Sequence, residues 1–141
     1  MQITSRFTVA VHTMLAIYTF QDNYKTTSDF IASSVNVNPV IIRRTLQSLK
    51  KAGLVDVKAG TGGATVAKDL KDVSLYDVYT AVDCVTENLF NFHNNPNPAC
   101  PVGKNIHNAL DSHLAAAQNA LETQLKSVSL ADVAKDLNKF I

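Results

Sequence analysis

Four cationic side chains and one amide, five in all, follow the dipeptide Asn38-Pro39 at spacings that suit contact with a polyanion. Arginine can form paired hydrogen bonds with guanine, and lysine neutralises phosphate groups. Between these polar residues, the aliphatic residues Ile42, Leu46 and Leu49 recur at spacings of four and three, which is typical of a helix with one buried aliphatic face. We therefore expect a basic outer face suited to double-stranded DNA, although solvated cations without a ligand would show the same charges. The five side chains are Arg43, Arg44, Gln47, Lys50 and Lys51.

Cys100 is a residue whose position favours thiol chemistry. It directly precedes Pro101 at the predicted start of a long helix, where unpaired N–H groups lower the pKa of a thiol. Lys104 adds positive charge one turn further along. The position predicts a thiol switch for redox sensing, in which oxidation or alkylation of Cys100 alters DNA binding. An inert capping residue is an equally good interpretation.

Histidines near Cys100 permit two further interpretations. His93 and His107 could form a metal site with Cys100, but their spacing matches no familiar ligand motif. Either histidine could act as a base for a Cys100 nucleophile in a cysteine-dependent enzyme, but no third orienting group or oxyanion loop is evident. We predict that the chain is not an enzyme and that it has no metal site.

Three predicted helices position the basic side chains. The third begins with Asn38 as its N-cap and Pro39 at its first position, where the missing N–H costs nothing. A short helix, a tight turn and a helix with a basic outer face form the helix-turn-helix layout. The predicted bounds are Ser5 to about Phe20, Asp29 to Ser34 and Pro39 to about Ala52, with Gly53 as a left-handed stop.

Residues 54–58 and 64–67 alternate apolar and polar side chains around a glycine-rich turn, which predicts a β-hairpin. A hairpin directly after a recognition helix is a wing. Lys58 and the N–H groups near Gly60 and Thr61 could approach a phosphate or a minor groove. The predicted fold class is thus mostly α, a winged helix-turn-helix with a two-stranded wing and a long C-terminal helix.

That long helix is predicted from about Val102 to Lys126. Twenty-five residues extend about 37 Å, so their apolar stripe predicts a partner helix, most simply its own copy in a two-fold homodimer. An irregular stretch from Glu87 to Pro101 precedes it, and Ser129 caps a final helix. A further helix begins after Ser74 and runs to about Val85. The predicted dimer-interface residues are Ile106, Leu110, His113, Leu114, Ala117, Leu121 and Leu125.

The chain of 141 residues is 46% hydrophobic, which suits a single folded core. No apolar run reaches the roughly 18 residues of a membrane span, and the N-terminus lacks a signal-peptide layout, so we expect a cytoplasmic protein. Residues 1–68 carry a net charge of +5 and residues 69–141 a net charge of −4, so the first half is expected to meet the polyanion. The predicted organisation is a DNA-binding domain at 1–83, a sensor loop at 84–101, and dimerisation and terminal helices at 102–141.

Several motifs occur in a familiar order: Ile3-Thr4-Ser5-Arg6, Val37-Asn38-Pro39, the run from Leu49 to Val55, the wing, Ser74 to Val78, and Cys100 to Gly103. In these motifs the chain resembles, over nearly its whole length, the Rrf2 family of bacterial winged-helix transcription regulators of the IscR, NsrR and CymR type. The resemblance implies a homodimer on two-fold-related DNA sites, usually acting as a repressor. By position it implies that Asn38, Val40, Arg43, Arg44 and Gln47 enter a major groove, and that the other DNA-binding positions are Ser5, Arg6, Thr27, Ser28, Pro39, Lys50, Lys51, Lys58, Gly60 and Thr61.

The sequence departs from the best-known members of that family. They carry three cysteines before the long helix that hold an iron–sulfur cluster, whereas residues 87–105 contain only Cys100, and Cys84 lies earlier. Because a cluster needs about four soft ligands, we predict no iron–sulfur cluster and no other cofactor. A winged-helix module that acts through a protein partner or a small-molecule effector is an alternative. Aromatic side chains that could line an effector pocket, or simply belong to the core, are Tyr76, Tyr79, Phe90 and Phe92.

Overall fold

The structure is a computed structural model that describes residues 5–58, 63–82, 90 and 92–141. Within these ranges the chain forms six α-helices, a short 3₁₀ helix at Leu70–Asp72 and a two-stranded antiparallel sheet, so the predicted mostly α fold with a two-stranded wing is confirmed. No helix in these ranges has the length and apolar character required to cross a membrane. The elements are α1 (Ser5–Phe20), α2 (Ser28–Val35), α3 (Pro39–Lys51), β1 (Val55–Lys58), β2 (Gly63–Val66), α4 (Leu75–Ala81), α5 (Pro101–Lys126) and α6 (Leu130–Asn138).

The core lies where α1, α2 and α3 meet the hairpin and α4. Met14 and Ile17 of α1, Ile31 of α2 and Leu49 of α3 are completely buried. Burial of one such side chain is worth about 1.5–3 kcal/mol relative to exposure. Since all three helices contribute to one core, the orientation of α3 is fixed by packing within the chain.

The hairpin is tied to the turn between α1 and α2. The Ala64 N–H donates to the Thr26 carbonyl at 2.9 Å, and the Thr26 hydroxyl donates to the Ala64 carbonyl. Gly63 has a positive φ of 74°, and a Cβ there would lie 2.9 Å from the Thr26 nitrogen, so only glycine fits this close approach. The side-chain oxygen of Gln21 accepts a further bond from the Val66 N–H at 3.0 Å. These contacts fix the base of the wing relative to the helices.

The segment after α5 returns to the core. The Leu75 N–H donates to the Val128 carbonyl at 2.9 Å, and the Leu130 N–H donates to the Val73 carbonyl at 2.8 Å. Leu130 is completely buried. Consequently the segments around Val73 and Val128, which precede and follow α5 in the chain, lie side by side. Helix α6 belongs to the same packed unit as α1.

Some boundaries differ from the prediction. Thr27 caps α2, which spans Ser28–Val35 and is one residue longer at each end than expected. Pro101 occupies the first position of α5, which therefore starts one residue earlier. The helix after Ser74 spans Leu75–Ala81, with Val82 as a C-cap of non-helical backbone, and the predicted continuation through residues 83–85 lies outside the described residues.

Candidate nucleic-acid interface

The turn between α2 and α3 is encoded by two asparagines. Asn36 adopts the left-handed conformation, with a φ of 63°, and its N–H donates to the Ala32 carbonyl. Asn38 caps α3, because its Oδ1 accepts a hydrogen bond from the Val40 N–H at 2.9 Å, and Pro39 follows at the first helical position. Asparagine enters the left-handed region more readily than most residues. The predicted cap and tight turn are both confirmed.

Helix α3 buries one face and exposes the other. Ile42 and Leu49 are completely buried, and Leu46 is 5% exposed, as the spacing predicted. Thr45 also belongs to this face, and its hydroxyl is satisfied by donating to the Ile41 carbonyl at 2.8 Å. The predicted polar side chains are all exposed: Arg43, Arg44, Gln47, Lys50 and Lys51.

A rotation of about 100° per residue sorts the exposed side chains around α3. Opposite the buried face lie Val40, Arg44, Gln47 and Lys51, while Arg43 and Lys50 lie on one flank and Ile41 and Ser48 on the other. The outward face is therefore a mixed surface of cations, an amide and one aliphatic side chain.

The start of α1 lies beside the second flank of α3. Ser5 and Arg6 line a cavity of about 480 Å³ together with Ile41, Arg44 and Ser48. The first N–H groups of a helix have no partners within the helix and favour anions. The structure thus brings two predicted DNA-binding residues next to α3.

The remaining predicted contacts lie at the N-terminus of α2 and along the wing. The Thr27 hydroxyl accepts a bond from the Phe30 N–H at 3.2 Å, and Thr27 and Ser28 are both half-buried. Lys58 ends β1 with an exposed side chain. Gly60 and Thr61, predicted at the tip of the wing, lie outside the described residues.

No carboxylate neutralises the cations of α3 in the part of the chain that the structure describes. Helix α3 contains no acidic residue of its own. The ion pairs found in the described ranges join Lys71 to Asp69, His107 to Asp111 and Lys139 to Asp136, and none of them involves α3. Within the described ranges, no ion pair therefore offsets the positive charge of this helix face.

Cys100 occupies the N-cap position of α5 and is exposed. Its sulfur makes no capping hydrogen bond, but the backbone N–H groups of Gly103 and Val102 favour the thiolate and lower the pKa of the Cys100 thiol. The preceding loop packs tightly here, since a Cβ at Gly103 would collide with the Asn97 carbonyl oxygen. The lowered pKa agrees with the direction predicted from the sequence.

The histidines near this helix end do not complete a metal site among the described residues. The rings of His93 and His107 lie 5.3 Å apart, and Nδ1 of His107 is 3.1 Å from the Asp111 carboxylate. No three His, Cys, Asp or Glu side chains in the described ranges converge on one point. Cys84 lies outside the described residues.

The predicted interface residues lie along a helix that its own chain covers poorly. None of the 26 residues of α5 is buried against the described part of the chain. Leu110 is 39% exposed. Of the other predicted interface residues, His113 and Ala117 are exposed, whereas Ile106, Leu114, Leu121 and Leu125 are half-buried.

A groove beside α1 is not predicted by any pattern in the sequence. An apolar groove of about 620 Å³ lies between α1 and α6, with walls that include Val11, Leu15 and Val133. His12 lines it and is hydrogen-bonded to the Ser34 hydroxyl at 2.9 Å. The apolar side chains of α1 recur at three- and four-residue spacing, which predicts one inward face, but no local pattern indicates that part of this face lines an open groove.

The predicted effector-pocket aromatics form two groups: the rings of Tyr76 and Tyr79 lie 6.5 Å apart, and Phe90 and Phe92 line one cavity. Tyr79 is buried and packs edge-on against Phe7 at 5.5 Å, so it belongs to the core. Tyr76 lies under the Lys126 ammonium, 4.5 Å from its ring centre. Phe90 and Phe92 line a separate cavity of about 480 Å³ against α5.

The sequence matches a family of transcriptional regulators over nearly its whole length. The profile of the Rrf2 family, described as an iron-dependent transcriptional regulator, matches residues 3–136. YwnA of Bacillus subtilis, a candidate HTH-type transcriptional regulator, is 48% identical over 135 residues, which cover 96% of this chain and 98% of that protein. The iron in the family description has no fitting site among the described residues, which offer a single cysteine and no three-ligand cluster.

Two solved structures share the arrangement. A candidate DNA-binding protein has 44% identity and a TM-score of 0.71, covering 92% of this chain and 98% of that one. CymR, the global cysteine regulator of B. subtilis, has a TM-score of 0.70 over 96% of this chain and 97% of its own. Its identity of 18% means that this second likeness concerns the fold alone.

Proposed function

Because the chain belongs to the Rrf2 family of transcriptional regulators, we propose that it binds double-stranded DNA at a specific sequence and represses transcription there. The observation that carries this proposal is the construction of α3. Ile42 and Leu49 lock one face into the core, while Arg43 and Arg44 are exposed and unopposed by carboxylates among the described residues. Arginine is the commonest bidentate reader of guanine in the major groove.

The proposed active form is a homodimer that contacts a two-fold-related site. Helix α5 presents the half-covered leucines Leu114 and Leu121 and the more exposed Leu110 along one stripe. Two copies of such a stripe can cover each other and hold two α3 helices about 34–36 Å apart, which is one turn of DNA. In this scheme residues 1–83 bind DNA, 84–101 form a sensor loop and 102–141 dimerise.

The test is a gel-shift titration on the DNA upstream of the protein's own reading frame. We expect binding that is tighter than to an unrelated duplex of equal length and that weakens steeply between 50 and 200 mM salt, at roughly the slope that released counterions produce. Sedimentation should show a dimer. A monomer, or an absence of binding to every duplex at low ionic strength, would contradict the proposal.

We further propose that the protein acts in the cytoplasm, without a metal cofactor, and that Cys100 senses oxidants. The Gly103 and Val102 N–H groups lower the pKa of the Cys100 thiol, so a larger fraction is thiolate at neutral pH than for an ordinary cysteine. With hydrogen peroxide as oxidant, the thiolate sulfur bonds to one peroxide oxygen, the O–O bond breaks and hydroxide leaves. The sulfur is oxidised to a sulfenic acid and the peroxide is reduced.

Peroxide titration of the DNA complex tests this switch. We expect release from the wild-type protein and no release from Cys100→Ser, with Cys84→Ser as the matched control that still responds. Alkylation of Cys100 by iodoacetamide should reach its half-maximal rate at a lower pH than alkylation of an unfolded peptide thiol. Equal release from Cys100→Ser and wild type would make Cys100 an inert capping residue.

A further inference from the structure

Helix α3, the proposed recognition helix, carries one aliphatic side chain on its outward face, next to cationic side chains. Val40 is 41% exposed and follows Pro39 in the first turn of α3. The N-terminal residues of a recognition helix are the ones that contact base edges. Isolated exposed valines are common on protein surfaces, so the significance of this one depends on its position and rigidity.

The position of Val40 is held firmly. Its N–H is bound by the Asn38 side chain at 2.9 Å, so the backbone carrying it is fixed by the cap of α3. A β-branched side chain in a helix has one strongly preferred rotamer. The two methyl groups therefore project from α3 with little freedom.

Ile41 is equally exposed, at 44%, but it points elsewhere. It lies on the flank of α3 that faces α1 and lines the cavity with Arg44, Thr45 and Ser48. Val40 lies opposite the buried face, with Arg44 and Gln47 on the same side. Of the two exposed aliphatic side chains of α3, only Val40 thus faces the bound duplex in the proposed docking.

From this geometry we infer that Val40 specifies a thymine in each half-site by contact with its 5-methyl group. The inference rests on the proposed function and adds a base identity to it. Thymine alone among the four bases presents a methyl group in the major groove. A valine forms no side-chain hydrogen bonds, so it can favour a base only through an apolar group, and the other three bases present none in this groove.

Deoxyuridine supplies the test, because it differs from thymidine only by that methyl group. The full-length wild-type protein selects its preferred duplex from a randomised pool, and each thymine of that duplex is then replaced singly. We expect one thymine in each half-site whose replacement weakens binding about fourfold, as burial of one methyl group implies, and about fifteenfold when both are replaced.

Variants assign the effect to one side chain. For Val40→Ala, which removes both methyl groups of the valine, the difference in affinity between the thymine and deoxyuridine duplexes should fall well below fourfold, while Ile41→Ala, the matched control, should keep the fourfold difference. Val40→Ser provides a second variant, and thermal melting checks that each remains folded. A selected site in which no thymine methyl matters, or a methyl effect that persists in both Val40 variants, would overturn the inference alone. Failure to select any duplex would overturn the proposed function as well.

Discussion

Helices α3 and α5 are both amphipathic, but of the two only α3 has its apolar face buried by the described part of its own chain. In 13 residues, α3 buries Ile42 and Leu49 fully and leaves its cations outside. Helix α5 is twice as long, with 26 residues, yet none of them is buried against the described part of the chain. The difference shows that the apolar face of α3 is used for folding, whereas the apolar face of α5 stays partly exposed to solvent against the described part of the chain.

The main contacts that position α3 among the described residues lie within one chain and do not involve α5. The unit formed by α1 to α4 and α6 positions α3 through contacts within one chain, such as the bond from the Leu130 N–H to the Val73 carbonyl. In the proposed homodimer, by contrast, the separation between the two α3 helices depends on contacts outside that unit. Under the proposed function, α5 sets it, so the two helices should respond differently to substitution.

The largest effect is expected in the buried face of α3. Leu49→Ala removes a completely buried side chain and should lower the free energy of unfolding by about 3 kcal/mol, through lost burial and the cavity left behind. Urea denaturation followed by circular dichroism measures it. Lys50→Ala, at the neighbouring exposed position, should change the same quantity by less than about 0.5 kcal/mol. Similar values for both variants would mean that α3 is not anchored as described.

The next effect should appear in α5 as lost association. Leu110→Asp places a charge on the proposed dimer stripe at a side chain that is 39% exposed, so each chain should still fold. We expect monomers in sedimentation and operator affinity at least about 100-fold weaker, because simultaneous binding of two half-sites is lost. Asn108→Asp adds the same charge at an exposed position off the stripe and should leave the dimer intact. A dimeric Leu110→Asp would remove α5 as the partner-binding helix.

Local signals explain which parts of the fold could be predicted. The pair Asn38-Pro39 and the glycine at position 53 mark the ends of α3 through caps that involve neighbouring residues only. The aliphatic spacing then identifies which side of the helix is buried. The basic face of the candidate site follows from the same pattern, since a side chain away from the buried stripe must be exposed.

Features that depend on long-range packing could not be predicted. The close approach of Gly63 to Thr26 and the bond from Gln21 to Val66 join segments that are distant in sequence, so no local pattern encodes them. The sorting of Ile41 toward α1 and Val40 toward the outside needs the position of α1 as well as the helical period. The groove beside His12 is likewise a property of how α6 returns.

A smaller effect should separate two cations of α3. Arg43→Ala is expected to weaken binding to the specific site by about 1–3 kcal/mol and to relax its sequence preference, since arginine reads a base edge. Lys50→Ala should weaken binding to all duplexes alike and reduce the salt dependence, as expected for a phosphate contact. Titrations against the preferred duplex and a scrambled one distinguish the two. A uniform loss for Arg43→Ala would reassign it to the phosphate backbone.

The smallest effect concerns the N-cap residues, Asn38 of α3 and Cys100 of α5. Both caps precede a proline, but the Asn38 side chain accepts a bond from the Val40 N–H, whereas the Cys100 sulfur makes no capping bond. Asn38→Ala should therefore lower the free energy of unfolding by about 1 kcal/mol. Cys100→Ala should leave the urea midpoint unchanged. If Cys100→Ala destabilised the protein as much as Asn38→Ala, the cysteine would serve as a cap, and its lowered pKa would be a consequence of that structural role.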